Sequence, residues 1–193
     1  MNKLGGAPII PFGKDNFKAR RYVPAYNFTL TFLFHPLVQT IIPFTFNDVI
    51  HSVQLLDDLR NRVDCNRNIV LISPWAHFLQ WTRESFKELV SLIRQAVDRY
   101  LSDCPRSLIV VKGPHARHAR TREERLFGSN YTAHEWGEIM RESFDDSKAW
   151  YLDVWDMNLS FMSKIDVHMP EAVVQQEVDM FLTYVCRNHR IKI

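Results

Sequence analysis

Two short, unbroken apolar runs constrain this chain most: Asn68 to Ser73 (NIVLIS) and Ser107 to Val111 (SLIVV). A strand that is apolar at every position has no face left for water. It belongs in a sheet covered on both sides, the usual setting of parallel strands. The stretch between the two runs supplies the cover. Thr82 can cap a helix and Glu84 suits its first turn. Phe86, Leu89, Val90, Ile93, Val97, Tyr100 and Leu101 then form one apolar stripe, and Pro105 ends the helix. Strand, helix and strand in that order read as a βαβ unit with a crossover.

The pattern extends in both directions. Ala25 to Phe34 is rich in Phe, Thr, Leu and Tyr and predicts a strand. Asn47 and Asp48 suit the first turn of a helix carrying Val49, Ile50, Val53, Leu56 and Leu59. After a polar stretch from His115 to about Asn130, a shorter helix is predicted over Ala133 to Phe144 and a strand over Trp150 to Val154. Pro170 suits the first turn of a last helix, with Val174, Val178, Phe181, Leu182 and Val185 on one side. No internal repeat or dividing linker is visible. At 193 residues the chain is one domain, or one with a short extension.

Composition removes several classes of function. Thirteen Phe, five Trp and six Tyr exclude a chain that is mainly disordered. A net charge of +2 excludes a strongly basic nucleic-acid binder. The most apolar tract, Phe28 to Phe46, is interrupted by His35, Pro36, Gln39 and Pro43, so no membrane span is expected. Met1 to Phe12 makes a poor signal peptide. That leaves a cytosolic protein or a chain without its natural start. Cys65, Cys104 and Cys186 contain no CxxC pair. They read as three half-buried thiols, or as one disulfide plus a leftover in a secretory compartment.

In a parallel sheet, ligands bind beyond the carboxyl ends of the strands. The segments there are His35-Pro36, Ser73 to His77, Gly113 to His115, and Asp156 to Asn158, with Asp166 to His168 just before the last helix. His168 is the best candidate for a general base, and Asp166 could orient its ring. His77, between Trp75 and Phe78, suggests a walled pocket. Ser73 ends a strand but is followed by Pro74, unlike a nucleophile elbow. The basic stretch from Lys112 to Arg125 reads as a solvated loop. His115 and His118 have no nearby Cys or carboxylate, so no metal is expected, and no cofactor motif is present. Asn27, Asn130 and Asn158 each begin an Asn-x-Ser/Thr sequon, a mild sign of secretion.

Four segments carry a resemblance. Asn68 to Phe78 (NIVLISPWAHF), Leu108 to Arg117 (LIVVKGPHAR), Tyr151 to Met157 (YLDVWDM) and Asp166 to Cys186 (DVHMPEAVVQQEVDMFLTYVC) resemble the C-terminal domain of the NXPE family, named for neurexophilin and PC-esterase domains. Leu33 to Leu37 (LFHPL) fits the preceding strand and turn. The similarity covers Ala25 to about Cys186. It leaves residues 1–24 as an irregular N-terminal segment and 187–193 as a tail.

That resemblance implies an SGNH-like, flavodoxin-like α/β/α domain with a mostly parallel sheet, of the kind that moves acyl groups, often acetyl, on or off glycans. It implies His168 as the catalytic His, and His77 with Trp75 on the pocket or oxyanion side. It also implies a glycan or glycoprotein partner, no cofactor, and a Golgi-lumen or extracellular location.

Two departures accompany it. No Gly-Asp-Ser segment occurs, so the first strand and its Ser nucleophile are expected to be missing and the chain inactive by itself. Ile165 stands where the family's Asp would be, which leaves Asp166 two residues before His168. A non-catalytic secreted or Golgi-lumen module that binds a glycan or a protein is the alternative. Oligomeric state stays open.

Overall fold

A computed structural model describes residues 8–10, 18–33, 50–119, 121–161 and 169–189. The chain forms two compact units, Met1–Leu55 and Leu56–Ile193.

The first unit holds a three-stranded antiparallel sheet in the order β1-β2-β3: β1 (Pro8–Ile10), β2 (Lys18–Val23) and β3 (Phe28–Leu33). The register runs from Lys18 opposite Leu33 to Val23 opposite Phe28. The turn between β2 and β3 follows from its residues. Pro24 opens a single 3-10 turn over Pro24–Tyr26, and Asn27 takes the left-handed conformation (φ 46°) that Asn tolerates better than most residues. Two expectations change here. The strand expected over Ala25 to Phe34 begins at Phe28 and belongs to a hairpin, because Pro24 and Asn27 build a turn where a continuous strand was read. The stretch 1–24, expected to be irregular, carries β1 and β2.

The second unit holds the parallel sheet β4-β5-β6: β4 (Ile69–Ile72), β5 (Leu108–Lys112) and β6 (Trp150–Leu152). Ile69 pairs with Leu108, and Lys112 with Leu152. α2 (Arg83–Asp103) crosses from β4 to β5, while α3 (Arg122–Phe127) and α4 (Asn130–Phe144) cross from β5 to β6. α1 (Ser52–Arg60) precedes β4; α5 (Trp155–Leu159) and α6 (Glu171–His189) follow β6. This is a mixed α/β fold with a parallel sheet, as the apolar runs require.

Side-chain alternation assigns the two faces. α2 and α4 pack together on one face. The stripe expected on α2 is buried at every position, and Thr82 accepts the Ser85 N–H as the cap. Phe86 stacks on Trp136 of α4 at 4.4 Å, and the Trp136 indole donates to the Phe78 carbonyl at 3.0 Å. On the opposite face, Phe181 and Tyr184 of α6 pack with Trp150 and Met157 around Val110, Leu152 and Val154. Val110, with its β5 neighbours Ile109 and Val111, is fully enclosed.

Two details depart from the sequence reading. Leu71, within the run expected to be buried on both faces, is 48% exposed: it shares the sheet face of its β5 partner Val110, while Val70 and Ile72 on the other face are buried. On α6 the expected inner face holds at Phe181 and Val185 and fails at the other three positions. Val173 and Val185 are buried, whereas Val174, Val178 and Leu182 are exposed. The expected strand over Trp150 to Val154 ends at Leu152, and the helix expected over Ala133 to Phe144 starts earlier, at Asn130 behind its Ser129 cap.

Cys65 and Cys104 form a disulfide, and Cys186 is free. The bridge ties the entry to β4 to the end of α2. Beside it the Cys65 carbonyl accepts the Tyr100 hydroxyl at 2.8 Å, the Asn68 amide at 3.2 Å and the Ser107 hydroxyl. Tyr100 is fully buried, so this network satisfies polar groups that water cannot reach.

Candidate functional site

The carboxyl ends of β4, β5 and β6 bring three loops to one edge of the sheet. After β4, Trp75 is buried and meets the buried His115, from the loop after β5, edge-on at 4.8 Å. His77 lies in a single 3-10 turn over Ala76–Phe78. Trp75 and Phe78 turn into the core and leave His77 at the surface. Partial desolvation of its ring lowers its pKa from the ordinary imidazole value. Ser73 is exposed, and its hydroxyl donates to the Lys112 carbonyl at 3.5 Å.

Beyond β5 a buried polar cluster appears. Lys112, the last residue of the central strand, pairs with Glu177 of α6 at 3.3 Å; the two side chains are 13% and 12% exposed. Asn158 of α5, fully buried, donates its amide to Glu177 at 3.3 Å and to the Val154 carbonyl. Desolvation lowers the Lys112 pKa, and Glu177 opposes that shift. The cluster fixes α5 and α6 against the end of β5.

On the other face, Tyr151 of β6 donates its hydroxyl to the Gly137 carbonyl at 3.0 Å. A Cβ on Gly113 would stand 2.4 Å from that hydroxyl, so the glycine makes room for it. Burial pushes the phenol pKa well up, and nearby Asp153 adds to the shift. Above Tyr151 a cleft of about 250 Å³ opens between α4 and the loop after β6.

Of the residues singled out from the sequence, Ser73, Trp75 and His77 follow one strand end, and His115 meets Trp75. Asp166, His168 and His35 lie outside the described residues. Among the sequons, Asn27 and Asn130 are exposed. Asn158 is enclosed completely. Among the described residues, no group of three or more His, Cys, Asp or Glu is placed to hold a metal ion.

The sequence profile described as "NXPE family member 4-like, C-terminal domain" matches residues 14–186. The chain belongs to the NXPE family. The match spans most of the chain and begins ahead of Ala25, so it includes the hairpin of β2 and β3. Within this NXPE domain, sequence reasoning missed the Lys112–Glu177 pair and the cleft over Tyr151. The pair had a faint signal, since Glu177 follows Val173 by one helical turn. The cleft had almost none, because its walls come from α4 and from a loop that is distant in sequence.

Proposed function

We propose that this NXPE domain is built on the frame of an SGNH-type glycan O-acyltransferase or esterase, and that the 193-residue chain is catalytically silent alone. The observation that carries the reading is the family match over residues 14–186. The strand-end loops of the parallel sheet support it, since that is where such folds bind their ligands. In a complete site of this kind a Ser oxygen attacks the ester carbonyl carbon as the π pair moves to oxygen, His168 would take the Ser proton and hand it to the alcohol that leaves when the carbonyl re-forms, and Asp166 would orient the imidazole. No Gly-Asp-Ser segment supplies that Ser here.

The Cys65–Cys104 disulfide supports a place in the secretory pathway, because such bridges persist in oxidising compartments. Acetyl release from a chromogenic acetyl ester tests the proposal. The expected rate equals that of a His168→Ala control. Clear His168-dependent turnover overturns the silent reading, and Ser73→Ala then tests the hydroxyl at the end of β4.

The second reading is a non-catalytic module that binds a glycan or a glycoprotein. One observation favours it. Ser73, a hydroxyl at the end of β4, precedes the buried Pro74 and is turned toward the Lys112 carbonyl. It therefore lacks the sharp, small-residue turn of a nucleophile elbow.

A further inference from the structure

The cleft over Tyr151 shares the strand-end edge of the sheet but is lined by none of the residues assigned to acyl transfer. One wall is a single face of α4, where His134, Glu138 and Arg141 stand one and two turns apart and Gly137 provides a low point between them. A Cβ on Gly137 would come within 3.4 Å of Pro114 and 3.8 Å of the Tyr151 hydroxyl, on the cleft floor. Those are ordinary contact distances, so the effect of the glycine is to leave the cleft floor one methyl deeper than alanine would. The other wall is aromatic. Trp155 is half-buried, and His134 meets it edge-on at 5.0 Å, which sets the plane of the indole.

The charges around this aromatic wall are one-sided. Glu138 and Arg141 line the cleft as an ion pair whose charges cancel, which leaves the Asp153 and Asp156 carboxylates to set its sign. The Asp153 carboxylate is held in place by the Trp155 backbone N–H at 3.0 Å. A phosphate, sulfate or carboxylate ligand would meet net repulsion. An alkylammonium group would meet attraction twice, from the carboxylates and from the indole face.

We propose that the cleft formed by His134, Glu138, Asp153, Trp155 and Asp156 above Tyr151 is a binding site for a small organic cation, a quaternary or primary ammonium head group. The site needs no acyl chemistry, so it stands or falls separately from the proposed activity.

Choline chloride is the probe, titrated into the full chain at constant ionic strength. Its neutral carbon isostere, 3,3-dimethyl-1-butanol, is the control. The readout is the Trp155 indole N–H resonance, assigned by loss in Trp155→Phe. A saturable shift with choline and none with the isostere is expected. In Asp156→Asn the binding is expected to weaken about fivefold. Asp156 is exposed, and an unchanged Trp136 indole resonance shows that this variant is folded. The proposal is overturned by the absence of a saturable shift, by equal binding of the isostere, by unchanged affinity in Asp156→Asn, or by binding of methyl glucoside in place of choline.

Discussion

Lys112 ends the central strand of the parallel sheet, where an unanswered charge would be costly. Glu177 answers it, and Asn158 fills part of the remaining hydrogen-bonding capacity of that carboxylate. Removing one partner of a buried pair leaves the other charge uncompensated, at a cost of about 3 kcal/mol or more. Glu177→Gln is therefore expected to lower the free energy of unfolding by about 3 kcal/mol in urea titration. Lys112→Met combined with Glu177→Leu is expected to recover most of that loss, because no buried charge remains. If the double variant is as unstable as the single one, packing and not charge governs this corner.

His77 makes a pH prediction at the same scale. Its folded pKa lies below the unfolded value, as does that of His51, so the unfolded chain binds more protons near pH 6.5. Stability then rises with pH through that range and falls on acidification toward pH 5. His77→Gln removes one titrating group, so its melting temperature should fall less between pH 7 and pH 5 than that of the parent chain. An identical fall in both proteins would show that other groups carry the dependence.

Among the elements, β5 and α2 were the most legible. Three consecutive enclosed residues on β5 leave no solvent face, and the α2 stripe has the period of a helix that covers a sheet. Both are consequences of local pattern. β4 had the same apolar look, yet Leu71 is exposed, because whether a face is covered depends on which elements pack over it and not on the strand's own residues. α6 was legible in part. Of the expected inner face, Phe181 and Val185 pack inward, whereas Val174, Val178 and Leu182 are exposed and the inward positions nearer the start of the helix are Val173 and Glu177, the latter paired with Lys112. The cleft over Tyr151 was unreadable because long-range packing alone brings its walls together.

The β4–α2 unit also carries the Cys65–Cys104 bridge, which closes a loop with a sequence separation of 39. A loop of that size restrains the unfolded chain by about 4 kcal/mol in the chain-entropy account. Cys65→Ser with Cys104→Ser should therefore lower the melting temperature clearly. A reducing agent should do the same to the parent chain and leave the double variant unmoved. The expectation fails if the reducing agent has no effect on a sample shown by thiol titration to hold one free cysteine.

For the molecule as a whole, compartment and surface chemistry are linked. No helix among the described residues is long and apolar enough to cross a membrane. The bridge between Cys65 and Cys104 needs an oxidising environment to persist, and the same environment would expose the chain to N-glycosylation at its sequons. The fold separates those three sites by accessibility. Asn27 sits exposed in the β2–β3 turn, where its side chain accepts the Tyr22 hydroxyl at 3.0 Å. Asn130 opens α4, exposed, with its oxygen on the Arg117 N–H at 2.8 Å. Asn158 is enclosed, and its amide nitrogen, the atom a glycan would occupy, is spent on Glu177 and Val154. A glycan placed there before folding would prevent α5 and α6 from closing on β5. The chain secreted from a eukaryotic host is therefore expected to carry two glycans. Asn27→Gln and Asn130→Gln should each remove one glycosidase-sensitive mobility step, and Asn158→Gln none. Loss of a step in Asn158→Gln would mean that the α5–α6 corner opens in the secreted protein.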